Sequence, residues 1–162
     1  MNQLDALWGF INANLKERLR ISASDMEMDN LRITRQTKNL GLGQIRTAIR
    51  QYDAVIYLYR WPYEECNPDI VLQLILAWMD EHANTLQDEI SLGEPEMEAT
   101  IDNGEKSAEV IFTIPMADEL VLREDENGII PRSGKRYSLV EPQVWVAEKA
   151  DVRTTFAKDD AP

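Results

Sequence analysis

Residues 44–82 read QIRTAIRQYDAVIYLYRWPYEECNPDIVLQLILAWMDEH, a segment that begins with alternating polar and apolar residues and ends almost wholly apolar. In its first part, Arg46 and Arg50 alternate with apolar residues. Successive side chains of a strand point to opposite faces. The pattern therefore predicts a long strand from which both arginines project on one face. Trp61-Pro62 ends this strand, because proline has no N–H to donate to a neighbouring strand.

The second part of this segment predicts a helix over residues 68–82. Asn67 is a favourable N-cap, and Pro68 suits the first helical position. Between Ile70 and Met79 only one polar residue interrupts the apolar circumference. A helix that is apolar on nearly all sides is covered on most of them. A single sheet covers only one side, so a neighbouring subunit is a candidate for another.

Weaker patterns predict the remaining elements of one α+β domain, a mixed or antiparallel sheet with two main helices packed on it. We expect this domain to span residues 1–147, followed by a polar, flexible extension over 148–162. The further elements begin with an amphipathic helix over 4–20 and two short strands within 24–34 joined by a turn at Asp29-Asn30. Strands follow over 97–101 and 109–114, the latter ending at Pro115 at a sheet edge or bulge with residues 119–123 as a candidate continuation, and a last strand lies around 144–146.

The charge is strongly acidic but unevenly distributed. The chain carries 29 Asp and Glu against 17 Lys and Arg, a formal net charge of −12. This balance argues against free nucleic acid as the main partner, because binding phosphates requires a cationic surface. Residues 1–60 nevertheless hold nine basic and six acidic side chains, and no acidic residue lies between Asp29 and Asp53.

Two interpretations of this segregation stay open. The charges belong either to an ordinary solvated surface or to a basic face on one protomer that meets an acidic face on the next. Complementary charge of the second kind sets the orientation of a contact more than its affinity. The candidate subunit-interface or lumen residues are accordingly Arg32, Arg35, Arg46 and Arg50.

Aromatic residues lie among these arginines between Tyr52 and Tyr63, as in stacking platforms for single-stranded nucleic acid. The acidic total and the alternation favour core or interface packing instead.

The sequence offers little for catalysis, metal binding or cofactor binding. The single cysteine, Cys66, and the single histidine, His82, bracket the predicted helix, which would separate them by roughly 22 Å. A nucleophilic pair needs both within hydrogen-bond reach, and a zinc site needs four such ligands. The turn Asp125–Gly128 lacks the spacing of a calcium loop. We therefore predict no catalytic residue, no metal and no cofactor.

The ends and apolar runs predict no membrane partner. The N-terminal MNQLDALWGF lacks the basic region of a signal peptide, and the run Ile70–Met79 is too short to span a bilayer. A single cysteine excludes an intrachain disulfide and fits a reducing compartment. We expect a protein that is made in a cytoplasm and stays there until assembly.

Three runs of residues resemble a known family: YDAVIYLYRW, PDIVLQLILAWMDEH and SAEVIFTIPMADELVLREDENG. Together they are similar to tail completion protein R of P2-like contractile-tailed phages, and Pro115 departs from the family pattern. The matching residues are Tyr52, Val55, Ile70, Leu74, Leu76, Ala77, Trp78, Glu81, Ile111, Thr113, Glu119, Leu120, Val121 and Gly128.

The resemblance implies a structural, non-enzymatic protein at the neck end of the virion tail, assembled in the host cytoplasm. It would cap the tail tube and sheath as a ring, a hexamer by similarity with tail terminators, so that a head can be joined. Its partners would be itself and the tube, sheath and neck proteins, with DNA only passing through the lumen. The alternatives are an assembly adaptor or chaperone that is not retained in the particle, and a hydrolase that uses carboxylates.

Overall fold

The computed structural model describes residues 3–15, 24–82, 86 and 89–140. In the described part of the chain, all strand pairings are antiparallel, the sheet order is β1-β2-β4-β6-β5, and β3 pairs with the first part of β4. The elements are α1 (Gln3–Asn14), β1 (Ser24–Gly41), β2 (Gln44–Trp61), α2 (Asp69–Glu81), β3 (Glu96–Asp102), β4 (Ser107–Glu124), β5 (Ile130–Arg132) and β6 (Lys135–Val140).

The fold is richer in strand than we expected, so the predicted α+β class with two main helices is wrong. Strands account for 56% of the described residues, the sheet curls like half of a barrel, and the two helices are short. Two of the 18-residue strands explain the difference. Residues predicted as two short strands form the single β1, and the strand predicted over 109–114 runs without interruption through Pro115 and the candidate continuation to Glu124 as β4.

β1 is continuous because a β-bulge accommodates the residues that we expected to form a turn. The pairing with β2 shifts register between Asp29 and Arg32, and Asn30 adopts a φ of 55°. Asparagine tolerates this left-handed region better than most residues. A bulge inserts an extra residue without ending the strand, so a turn-like dipeptide here bends β1 and does not break it.

β4 continues through Pro115 because the strand has a single neighbour there. β3 pairs with β4 up to Thr113, and β6 pairs with it only from Val121 onward. Proline is tolerated at such an edge, where no neighbouring strand needs its N–H. The predicted edge position is therefore correct, and residues 119–123, the candidate continuation, belong to the same unbroken strand.

The core lies between the two helices and one face of β2 and β4, which we call the helix face. Leu7 of α1, Ile75 of α2, Ile56 of β2 and Phe112 of β4 are all fully buried there. The opposite face, which carries Asp53 and its alternating neighbours, is the outer face.

α2 confirms the helix predicted over 68–82, and its start is capped as expected. The side-chain oxygen of Asn67 accepts a hydrogen bond from the Asp69 N–H at 2.9 Å. The expected cover on most sides is only partial, since Val71 and Ile75 are buried while Ile70 is 49% exposed.

Several predictions fall on undescribed parts of the chain. Residues 16–20 of the N-terminal helix, the strand around 144–146 and the extension over 148–162 lie outside the described residues.

Candidate interaction surface

The four candidate arginines lie on one hairpin, which consists of the second part of β1 and the first part of β2. We call residues 31–50 the basic hairpin. It contains five basic side chains and no acidic one. Every residue from 31 to 40 is exposed, including Leu31 at 56% and Ile33 at 58%. This strand lies at the edge of the described sheet, so its outer side faces no other described strand.

The tip of the basic hairpin places a leucine in an unfavourable backbone conformation. Gly41 pairs with Gln44, leaving Leu42 and Gly43 as a two-residue turn with φ values of 52° and 76°. Two positive φ values define the type I′ turn, which favours Asn or Gly at both positions. The left-handed conformation costs an ordinary residue about 1 kcal/mol. Leu42 is also 98% exposed, so its side chain gains nothing from the protomer in return.

Arg46 is buried at the root of the hairpin and is paired within the chain. Its guanidinium lies 2.9 Å from Glu89 Oε2 and 2.9 Å from Glu119 Oε2, and its Nε donates to the Gln36 carbonyl at 3.2 Å. The hydrogen bond to Glu89 raises the pKa of Arg46, and the same bond lowers the pKa of Glu89. Lys38 adds a second cation 3.5 Å from Glu89. Arg46 therefore fastens the hairpin to the segment that leads into β3.

Arg50 is paired with a buried carboxylate on the helix face. Its Nη2 donates to Asp118 Oδ2 at 2.9 Å, and Asp118 Oδ1 accepts the Gln3 N–H at 3.2 Å. The carboxylate thus lies at the N-terminus of α1, where negative charge is favourable. Burial raises the pKa of the neighbouring Tyr52 hydroxyl far above its usual value, and the charge of Asp118 adds to this effect.

Arg46 and Arg50 project from opposite faces of the sheet, so the prediction that they share a face is wrong. Arg46 binds Glu119 and Arg50 binds Asp118, which are adjacent in β4 and therefore lie on opposite faces. The cause is a register shift in β2 between Arg46 and Ala48. One inserted residue reverses the alternation on one side of the bulge. Nothing in the local sequence marks it.

Arg32 and Arg35 differ from the other two candidates because both are exposed and neither makes an ion pair within the described part of the chain. Arg32 donates to the Asn30 carbonyl at 2.8 Å, two residues earlier on its own strand. The guanidinium of Arg35 makes no hydrogen bond to any described residue. The role of all four arginines at an interface or lumen stays a prediction, and the structure separates them into two paired and two exposed cations.

Sequence reasoning missed a cluster of carboxylates on the outer face, next to the basic hairpin. The strand registers align three cross-strand rows there: Asp29 with Asp53, Glu27 with Glu96 across β2 and β4, and Asp25 with Glu98 in the same way. We call these six residues the acidic face. None of them makes an ion pair within the described residues. The alternation of acids over 25–29 was the available signal, but the expected turn at Asp29-Asn30 obscured it.

The arrangement around α2 does not bring a catalytic pair together. Cys66 precedes the helix and His82 follows it. The Cys66 carbonyl accepts a hydrogen bond from Trp61 Nε1 at 2.8 Å, while His82 stacks on Trp78 with ring centres 4.7 Å apart. Among the residues the structure describes, no group of three or more His, Cys, Asp or Glu could hold a metal ion. No described helix is long and apolar enough to cross a membrane.

Comparison with known proteins confirms the resemblance. The chain is 28% identical over 101 residues to an uncharacterized 19.2 kDa protein in the rep-hol intergenic region of Haemophilus phage HP1 (strain HP1c1). This alignment covers 62% of the chain and 60% of the relative, so the chain spans less than two thirds of the relative's length. No solved structure matches the chain. The sequence matches the P2 phage tail completion protein R over residues 1–142. Since this match extends over most of its length, the chain belongs to the P2 phage tail completion protein R family.

Proposed function

We propose that this chain is a structural subunit that completes the phage tail by forming an oligomeric ring at its head-proximal end. The ring, with six copies as in tail terminators generally, caps the tail tube and sheath and offers the surface to which a head is joined. Membership of a tail completion family supports the tail role. The ring, its position and its neighbours are the further steps of the proposal.

The observation that carries the proposal is the basic hairpin. Its strained Leu42 adds cost to an isolated protomer, and its exposed leucine and isoleucine side chains and its exposed Arg35 gain nothing from the protomer's own packing. Strained backbone persists where function requires it. Contiguous exposed apolar side chains on a soluble protein are typical of an interaction surface. A surface of this kind serves a protein that assembles with others better than one that acts alone.

The competing function is that of an adaptor or chaperone that helps tail assembly and then leaves. The net charge of −12 also suits that role. The strong binding of Arg46 to Glu89 and Glu119 favours the structural reading, because it holds the hairpin in one orientation in the free protomer. A surface that is fixed before assembly loses less conformational entropy when it binds.

Two measurements on the purified wild-type chain test the proposal. Light scattering of the purified chain should give a mass several times that of the 18.6 kDa protomer. If the purified chain is monomeric, it should instead assemble after it is added to tails from phage that lack the protein. Sedimentation of those tails should then retain the protein, and heads should attach. A chain that stays monomeric under both conditions contradicts the ring. A chain that restores head attachment but is lost from washed particles identifies the adaptor instead.

A further inference from the structure

Opposite charges occupy the two parts of a single ribbon. Residues 24–30 of β1 carry three acidic side chains and no basic one, whereas residues 31–50 carry five basic side chains and no acidic one. The change occurs at the bulge next to Asn30. From Glu27 to Arg35 the strand advances about 26 Å, at roughly 3.3 Å per residue. Arg35 is thus beyond side-chain reach of Glu27, whereas Arg32 lies three residues from Asp29 and donates to the Asn30 carbonyl at 2.8 Å, not to a carboxylate. No ion pair joins the two patches within the described residues.

The acidic face is unfavourable in the isolated chain. Asp29 lies directly opposite Asp53, and like charges in directly opposed positions destabilise a sheet. Asp53 accepts a hydrogen bond from an amide, Asn30 Nδ2 at 3.4 Å, and makes no ion pair with any described residue. Glu96 and Glu98 on β3 are exposed and make no side-chain hydrogen bond to any described residue. A cation supplied from outside would therefore remove repulsion as well as add attraction.

The surface between the two acidic edges is not wholly polar. Between the carboxylates of β1 and those of β3 lie Val55, Tyr57 and Ile111, which are buried or half-buried on the outer face. The basic hairpin carries the complementary combination of cations and exposed apolar side chains. On its edge strand Ile33 and Arg35 share the helix face, Arg32 lies on the outer face, and Leu42 stands at the tip. The two surfaces match in charge and in apolar content.

Building on the ring proposed above, which it requires, we infer that the basic hairpin of each subunit docks on the acidic face of the next copy of this chain. The hairpin docks through its free edge, so that Arg32 from one face of the strand and Arg35 from the other meet carboxylates of the acidic face, while Ile33 and Leu42 supply apolar contact. The two patches differ, so the contact is head-to-tail, and repetition of such a contact closes a ring when the rotation per subunit allows it. Complementary charge of this kind fixes orientation and excludes wrong contacts.

Charge exchange between two variants tests this contact. In the hairpin variant, Arg32→Glu and Arg35→Glu make the hairpin acidic. In the face variant, Asp53→Lys and Glu96→Lys place two lysines among the four carboxylates that remain, and Lys at position 53 gains Asp29 as a partner, which supports folding. The hairpin variant sets carboxylates against carboxylates, and the face variant sets lysines against Arg32 and Arg35. Each variant alone should therefore be a monomer under conditions where the wild type assembles. An equimolar mixture should assemble to the wild-type mass, because each hairpin then meets an opposite face.

Two controls keep the test decisive. A chain that carries all four substitutions should assemble by itself, which excludes loss of assembly through misfolding of either variant. The variant Glu105→Lys/Glu126→Lys changes the net charge as much as the face variant but leaves the acidic face intact, and it should assemble like the wild type. Raising the salt concentration should weaken wild-type assembly, since exposed charges are screened.

The outcomes separate this contact from the ring itself. If the wild type assembles and either single-patch variant still does so equally well, the docking contact is wrong while the ring stands. The same holds if the mixture and the four-substitution chain remain monomeric. If the wild type never assembles, alone or on tails, both the ring and the contact fail.

Discussion

The β1–β2 ribbon is one continuous piece of secondary structure with two unlike parts. In the part next to the helices, Ile56 on β2 is fully buried, and it pairs with Met26 on β1 and Phe112 on β4. In the basic hairpin, Ile33 on the same helix face is 58% exposed. The same residue type therefore stabilises the protomer in one part and does little for it in the other.

The difference shows that fold and surface are specified separately along one pair of strands. The helix-backed part is held by burial of apolar side chains, which depends on both neighbouring strands and the helices. The basic hairpin is held mainly by its backbone ladder with β2 and, at its root, by Arg46. Side chains that do not stabilise the protomer are then available to contact a partner.

The largest expected effect contrasts the two isoleucines directly. Ile56→Ala should lower the free energy of unfolding by about 3 kcal/mol, because it leaves a cavity in a close-packed core. Ile33→Ala should change it by less than about 0.5 kcal/mol, as exposed substitutions usually do. Urea unfolding followed by circular dichroism measures both. Comparable losses for the two variants would show that the basic hairpin is covered within the protomer.

The sequence predicted the helix-backed part better than the hairpin for a physical reason. β2, α2 and β3 follow from apolar periodicity and from caps such as Asn67, and these local signals agree with the tertiary structure. The long β1 and β4 do not, because Asn30 and Pro115 are turn or end signals that a bulge and a single-sided edge accommodate. Whether a strand ends at such a residue depends on which neighbours it has, and those come from elsewhere in the chain.

The candidate site shows the same limit more sharply. The concentration of basic residues over 31–50 is visible in the sequence, and the structure places all of these residues on one hairpin. The faces and partners of the arginines are not visible, because one bulge after Arg46 reverses the alternation. The acidic face needs the registers of four strands before its carboxylates can be seen to lie together. The sequence shows which segments carry charge, but the pairing of the strands is needed to show which charged side chains lie together on one surface.

The second prediction concerns the residue that joins the two parts. Arg46→Ala should lower the free energy of unfolding by about 2 kcal/mol, since it removes charge-assisted hydrogen bonds from a buried guanidinium while Glu89 and Glu119 stay partly solvated. Arg46→Lys should fall between this variant and the wild type, because lysine keeps the charge but cannot make the two-pronged contact with Glu89. The exposed Arg35→Ala is the matched control and should stay within about 0.5 kcal/mol of the wild type. Denaturant unfolding at pH 7 measures all three.

The pH dependence of this pair has a defined sign. Arg46 lowers the folded-state pKa of Glu89, so the pair contributes stability above the unfolded pKa, near ~4.3 for glutamate. That contribution is lost as pH falls through the lowered folded-state pKa. The stability difference between the wild type and Arg46→Ala should therefore narrow below about pH 4. A difference that stays constant down to pH 3 would show that the ion pair does not hold the hairpin.

The smallest effect on the protomer, and the one with opposite sign, is expected at the hairpin tip. Leu42→Asn should raise the free energy of unfolding by about 0.5–1 kcal/mol, because asparagine tolerates the left-handed conformation that costs leucine about that much. The same substitution removes an apolar side chain that is 98% exposed, so it should weaken wild-type assembly in light scattering. Leu139→Asn, at an extended position that is 61% exposed, is the control and should not stabilise the fold. A Leu42→Asn variant that is more stable and assembles equally well would mean that the tip contacts no partner. A variant that is more stable but assembles less well would show that the strained leucine is needed for contact with the neighbouring subunit.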